Sequence, residues 1–386
     1  MEETTDTAAG AGSLTQIATE FLRLGFVAFG GPPVHFAMME ERFVRKKKWL
    51  THERFVDLIG AVNLLPGPSS TELTIYLGEL RGGLPGLIVA GACFILPAAV
   101  MVMGLAWAYQ TFGKLPQVEG LLFGIKPVVV ALIIPALWNL GRTALKNAGL
   151  AALAVAVIVA AMLGFNVITL LIAAGIFWML LRQAKGLATS SSRGVASEGA
   201  GLLGSSAAVS VGLAPLLFYF LKVGAIVFGS GYVLLAVLRA DLVVRLHWLT
   251  DAQLLDAIAV SQATPGPYFT VSTFIGYLLG GWKGAGLATL GMFLPAFVFV
   301  AVTAKFLPRL RKSQLASAFL DGVNAAAVAL MAFVAWQFAR AALTNLPAVV
   351  LLLMSLFLLF RYRLNSAWLV LGGAVAGMVI RALGKG

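Results

Sequence analysis

One cysteine and three histidines are all that these 386 residues hold of the side chains that most often bind transition metals or form disulfides. Cys93 alone excludes a disulfide within the chain and a cysteine-based metal site. His35, His52 and His247 show no metal-ligand spacing. Acidic residues are also few, 16 against 28 basic ones. Charged residues make up 11% of the chain, where soluble domains average about 25%. No P-loop, dinucleotide fingerprint or nucleophile triad occurs. The sequence therefore offers no enzyme chemistry, no cofactor site and no means of hydrolysis-driven pumping by this chain alone.

What is present is apolar. Hydrophobic residues are 60% of the chain, and several runs approach the roughly 20 residues that cross a bilayer. The fold class is an all-α polytopic membrane protein, with the lipid bilayer as its main partner. The net charge of +12 does not indicate nucleic-acid binding. Its basic residues cluster at the ends of apolar segments, where Lys and Arg set topology. Residues 1–13 are acidic and rich in Thr, Ala and Gly, and are expected to form a disordered tail without the basic start of a signal peptide. A homodimer is one assembly the sequence allows.

The chain is written twice. Residues 186–214 are rich in Ser, Gly and Ala and are expected to link an N-terminal repeat, 14–185, to a C-terminal one, 215–386. Phe21-Leu22-Arg23-Leu24-Gly25 aligns with Phe220-Leu221-Lys222-Val223-Gly224. Trp49-Leu50-Thr51 aligns with Trp248-Leu249-Thr250, and Asp57 with Asp256. Pro66-Gly67-Pro68 aligns with Pro265-Gly266-Pro267 at the same offset. A Pro-Gly-Pro cannot continue a helix. Within a bilayer, broken backbone survives only where protein or a water-filled cavity satisfies it. Paired breaks in two repeats point to a transport site.

The short helices around each Pro-Gly-Pro are expected to form a re-entrant hairpin, leaving about five spans per repeat. An odd count inverts one repeat relative to the other. Loop charges agree. With the linker inside, Arg42, Arg45, Lys46, Lys47, Lys48, Arg81, Arg142 and Arg182 fall inside, joined by Lys305, Arg309, Arg311 and Lys312. Arg239, Arg245, Lys283, Arg340 and Arg381 fall outside.

The residues after each break are candidates for substrate contact. Pro68 suits a first helical position, so Ser69, Ser70 and Thr71 would form a helix N-terminus able to receive an oxyanion. Thr270 occupies the matching place in the second repeat. Gly30-Gly31, followed by two prolines and His35, has the same logic, and its partner is Gly229-Ser230-Gly231. Asn63 and Gln262 are matched amides before the breaks. Lys126, inside an apolar run, has Asn324 as its partner. For charge or proton coupling the candidates are Arg23 with Lys222, Asp57 with Asp256, and Glu72. Against these stand plainer readings: kinks that ease helix packing, snorkelling cations at helix ends, and a solvated face for Asp57.

Phe21-Leu22-Arg23-Leu24-Gly25, Phe29-Gly30-Gly31-Pro32, Trp49-Leu50-Thr51 and Leu65-Pro66-Gly67-Pro68 resemble the chromate ion transporter family. Thr264-Pro265-Gly266-Pro267, Phe274-Ile275-Gly276-Tyr277 and Phe293-Leu294-Pro295 resemble that family's second domain. The resemblance covers both repeats and implies a two-domain member with antiparallel halves. It further implies export of chromate across the inner membrane, driven by the electrochemical gradient. Sulfate or another tetrahedral oxyanion, and an anion channel in place of a carrier, stay open as alternatives. Glu72 departs from the Gln expected at that place in the family.

Overall fold

A computed structural model describes residues 13–113, 115–187, 212–227, 232–304, 314–362, 364 and 366–384. Every regular element among them is helical. The expected tail, the body of the linker, and Gly229, Ser230 and Gly231 lie outside these residues, as does the Lys305–Lys312 cluster. Helices at the two ends of the expected linker run on to Leu187 and start at Leu213.

Helix α1 (Leu14–Val27) is buried along one stripe, Ile17, Phe21 and Leu24. It ends at Ala28, ahead of the Gly30-Gly31 break. Helix α2 (Pro32–Met39), with Pro at its start, continues into a π-helical segment (Glu40–Lys46). The chain here doubles back along α1. Glu20 on α1 accepts hydrogen bonds from the Arg42 guanidinium at 2.5 and 3.0 Å, and the Phe21 and Phe43 rings lie 5.0 Å apart.

A second hairpin follows. Helix α3 (His52–Val62) starts at the Thr51 cap, whose side chain accepts from the Arg54 N–H. The chain breaks through Pro66-Gly67-Pro68, and helix α4 (Ser69–Phe112) begins. This helix folds in two at Gly82 and Gly83, the latter at φ +60°. A Cβ at Gly78 would collide with the Gly86 carbonyl oxygen and the Ala90 side chain. On a straight helix, residues eight apart are separated by about 12 Å, so the arms 69–81 and 84–112 run antiparallel. Arg81 sits over the Trp49 ring at 5.4 Å. The second hairpin therefore enters and leaves at one face, with its Pro-Gly-Pro inside. Helices α5 (Pro116–Ala144), α6 (Ala148–Met162) and α7 (Val167–Leu187) complete the repeat. Its five apolar helices are α1, the long arm of α4, α5, α6 and α7.

The second repeat copies these events in α8 (Leu213–Ile226), α9 (Tyr232–Leu238), α10 (Asp251–Ala263), α11 (Val271–Thr303), α12 (Gln314–Ala342), α13 (Leu346–Tyr362) and α14 (Ser366–Leu383). A π-helical segment (Arg239–Arg245) follows α9. Gly281 turns α11 at φ +60°, as Gly83 turns α4. Lys48 and His247, at φ 51° and 52°, make the same left-handed step.

The repeats are inverted. Tyr76, on the arm that rises from the break to the Gly82 turn, donates to the Ala304 carbonyl at 3.1 Å. Ala304 lies beyond the far end of α11, remote from the Gly281 turn. Lys146, after α5, pairs with Asp321, near the start of α12, at 2.7 Å. Glu119, at the start of α5, pairs with Arg381, at the end of α14. One face of the bundle thus carries the first repeat's turns and the second repeat's far ends. That face also gathers Arg45, Lys46, Lys48, Arg81 and Arg182, as the loop charges predict, and Lys146 beside Asp321.

The last helices are exchanged between repeats. Gly124 on α5 backs directly onto the Gly373 carbonyl of α14, leaving no room for a Cβ. Gly322 on α12 backs in the same way onto the Ala174 carbonyl of α7. Such small residues let membrane helices approach closely. By length and composition, six helices among the described residues are apolar enough to cross a membrane, with three shorter apolar helices beside them.

Candidate transport site

The two Pro-Gly-Pro turns meet at the centre, and each binds the other repeat. The Gly67 N–H donates to the Val227 carbonyl at 2.7 Å, and the Gly266 N–H to the Ala28 carbonyl at 2.8 Å. Ala28 and Val227 are the equivalent ends of α1 and α8. The unwound backbone is thereby satisfied across the repeat boundary, as a break inside a bilayer requires. Gly67 and Gly266 have φ of 135° and 94°. A Cβ at Gly67 would stand 2.6 Å from Glu72 Oε1, and one at Gly266 2.6 Å from the Ala98 side chain.

Between the turns lies a cavity of about 20 Å³, room for about one water. Gly31, Pro32 and His35 wall it from the start of α2. Pro68, Ser69 and Ser70 wall it from the start of α4, and Gln262, Tyr268 and Phe269 from the second repeat. The first turn of a helix has N–H groups without helical partners, so α4 presents donors and two hydroxyls here. His35 is 1% exposed. Its Nε2 lies 3.1 Å from the Ala28 carbonyl oxygen, which also receives Gly266. Its ring stands edge-on to Phe94 at 5.7 Å. Nδ1 has no hydrogen-bond partner among the described residues.

Other expected residues lie elsewhere. Thr71 and Glu72 are fully buried but are absent from the cavity wall. Glu72 folds beneath Gly67, and neither of its carboxylate oxygens has a hydrogen-bond partner among the described residues. Thr270 turns its hydroxyl to the Pro267 carbonyl at 2.9 Å. Pro66 is half-buried and Pro265 buried, holding the turns. Gly30, at φ +111°, turns the chain ahead of α2.

Asn63 is exposed, against the expectation that it faces a ligand, and Asp57, a coupling candidate, is exposed as its solvated-face reading has it. Helix α3 buries only Phe55, Leu58, Ala61 and Val62, which leaves both residues on its outer side. Helix α10 is buried from Leu254 through Ala259, so their counterparts, Asp256 and Gln262, are inside. Arg23 is exposed and lines an outer groove of about 400 Å³ between α1 and α2. Lys222, at 3.9 Å from Asp241, is likewise outside the centre. Asn324 is half-buried on α12.

Lys126 has a partner that the spacing did not reveal. Its Nζ lies 3.6 Å from Asp256 Oδ1. Tyr109, which no motif marks, donates to Asp256 Oδ2 at 3.0 Å. Helices α4, α5 and α10 meet at this cluster, two turns before Gln262 on α10.

The profile of the chromate transporter family matches residues 15–179 and 214–378, which are the two repeats of the fold. The chain belongs to the chromate transporter family. The chromate transport protein of Cupriavidus metallidurans is 33% identical over 381 residues, which make up 95% of this chain and 93% of that one. The chromate transport protein of Pseudomonas aeruginosa is 31% identical over 398 residues, 98% of this chain and 95% of that one. An uncharacterized transporter of Bacillus subtilis is 28% identical over 129 residues, only 33% of this chain but 72% of its own. That relative is about the size of one repeat. No solved structure matches this family member.

Proposed function

We propose that this protein exports chromate across a bacterial inner membrane, drawing on the electrochemical gradient. The observation that carries this reading is the meeting of two inverted Pro-Gly-Pro turns around one small cavity that Ser69, Ser70, His35 and Gln262 help to wall. Discontinuous helices that converge at the midplane of inverted repeats are how many secondary carriers hold a substrate. The relatives named chromate transport proteins supply the substrate. Ser69, Ser70, Gln262 and the first-turn N–H groups of α4 are the anion's donors in this reading. The cavity is too small for a tetrahedral oxyanion, so the turns separate to admit one. The basic face lies in the cytoplasm by the positive-inside rule.

Everted membrane vesicles test the reading. Chromate uptake is expected to require an energised membrane and to collapse with a proton ionophore. Uptake that persists after the ionophore and never exceeds the outside concentration would instead describe an anion channel.

A further inference from the structure

Chromate and sulfate are tetrahedral oxyanions of similar size, and donors alone distinguish them poorly. They differ in one respect that a buried site can read. The chromate dianion takes up its first proton near neutral pH, while the sulfate dianion does so only in strong acid. At cellular pH part of the chromate is hydrogen chromate, which has one negative charge and a hydroxyl. Sulfate has two charges and no hydrogen to donate.

We propose that the central cavity takes its cargo as the protonated, singly charged oxyanion, with His35 Nδ1 accepting the hydrogen bond from the anion's hydroxyl. This rests on the reading of that cavity as the transport site. Two backbone neighbours, Ala28 and Gly30, flank the ring, and the tautomer follows from the nitrogen that lies within hydrogen-bond distance of a carbonyl. Nε2 lies 3.1 Å from the Ala28 carbonyl oxygen. A carbonyl only accepts, so Nε2 carries the hydrogen, and in the neutral ring Nδ1 is a bare lone pair. A buried imidazole without an acidic partner is held neutral, because a lone buried charge is expensive. Nδ1 has no hydrogen-bond partner among the described residues and belongs to a residue of the cavity wall. An unpaired acceptor on the wall of an anion site repels an anion that has only acceptors. It attracts one that brings a hydrogen.

The charge of the cavity leads to the same choice. No Lys or Arg is among the described residues that wall it. Lys126, the cation expected to neutralise a substrate, is already paired with Asp256. Dipoles, hydroxyls and one amide must hold the cargo without a formal counter-charge, which is far less costly for one negative charge than for two. Among the described residues, Tyr268 stands on the cavity wall and Glu72 behind the Gly67 turn. Neither supplies a positive charge, and an ionised Glu72 would oppose a dianion further. A site built around a substrate's hydroxyl rejects the analogue without it by as much as about 10⁴-fold. The proton stays on the cargo throughout and leaves the cell with it.

The test is the initial rate of chromate uptake into everted vesicles at a fixed diffusion potential and fixed total chromate, across the pH range in which the chromate dianion takes up its first proton. The rate is expected to follow the hydrogen chromate concentration, falling as pH rises, and sulfate in large excess should not slow it. His35→Gln offers an amide that can turn to donate, so in that variant sulfate should become a competitor and the pH dependence should flatten. A wild-type rate that holds level or rises with pH overturns the proposal, as does sulfate competing at concentrations comparable to chromate. Either result leaves the transport reading intact. Absence of chromate flux at every pH overturns both.

Discussion

Lys126 on α5 stands 3.6 Å from the Asp256 carboxylate on α10, so a charge pair joins the two repeats inside the apolar bundle. The partners are not equally sheltered: the Lys126 side chain is 24% exposed and that of Asp256 3%. Removing one member of a buried pair strands the other, at a cost of about 3–5 kcal/mol when the stranded charge is fully enclosed. Lys126→Ala strands the enclosed member, with Tyr109 as its remaining partner. Asp256→Asn leaves a lysine that can reach solvent. Lys126→Ala is therefore expected to lower stability by about 3 kcal/mol, and Asp256→Asn by clearly less. Thermal unfolding of the purified variants in detergent checks the order, and an inverted order would show that the pair is not the enclosed contact described here.

Inversion makes a prediction that equivalent residues break symmetry across the membrane. Leu84 and Trp282 follow the matching glycine turns of the two repeats, and both are exposed, at 60% and 56%. In a Cys93→Ala background, Leu84→Cys should react with an impermeant thiol reagent from one side of the membrane, and Trp282→Cys from the other. Labelling of both from the same side would mean parallel repeats.

The sequence announced the doubled fold, since each Pro-Gly-Pro breaks a helix whatever surrounds it, and charges at loop ends record topology. Gly82-Gly83 likewise marks the boundary between two helices because only glycine tolerates that turn. Less visible was the return of the chain through α2. That hairpin depends on Glu20 meeting Arg42, a contact between residues that share no periodicity. Matched residues were also assumed to have matched surroundings. Asp57 and Asp256 align, yet α3 is half-exposed and α10 is enclosed, because inverted repeats do not carry identical neighbours. His35 stood out only as a histidine beside a break. Its two nitrogens acquire distinct roles from the Ala28 carbonyl, which no local pattern foretells.

Two glycines on the same path should respond in opposite senses to the same substitution. Gly67→Ala forces a side chain into φ +135° and to within 2.6 Å of Glu72. Such backbone conformations cost on the order of 1–3 kcal/mol for residues other than glycine, and the new methyl also displaces the turn that Val227 holds. Gly104 lies in the long arm of α4, where a methyl group would have no neighbour within 4 Å, and alanine there removes the helix penalty of glycine, about 1 kcal/mol. Unfolding midpoints should fall for Gly67→Ala and rise for Gly104→Ala, and only the first should impair chromate transport.

Glu72 tests whether stability and function compete at the centre. Its side chain is fully buried beneath the Gly67 turn, and neither carboxylate oxygen has a hydrogen-bond partner among the described residues. The second repeat has Val271 at the equivalent place, also fully buried, so the fold itself accepts an apolar residue there. An unsatisfied buried polar group costs about 1–3 kcal/mol. Glu72→Val should therefore raise the unfolding midpoint, whereas Glu72→Gln, which still buries two polar atoms, should leave it nearly unchanged. A residue that destabilises the protein is retained where it serves transport, and a carboxyl group at a break between repeats can carry a proton. On that reading the stabler Glu72→Val protein loses the part of chromate uptake that the ionophore abolishes, while Glu72→Gln loses it without gaining stability. Uptake by Glu72→Val that keeps its full ionophore sensitivity would remove Glu72 from energy coupling and leave it as a support for the Gly67 turn.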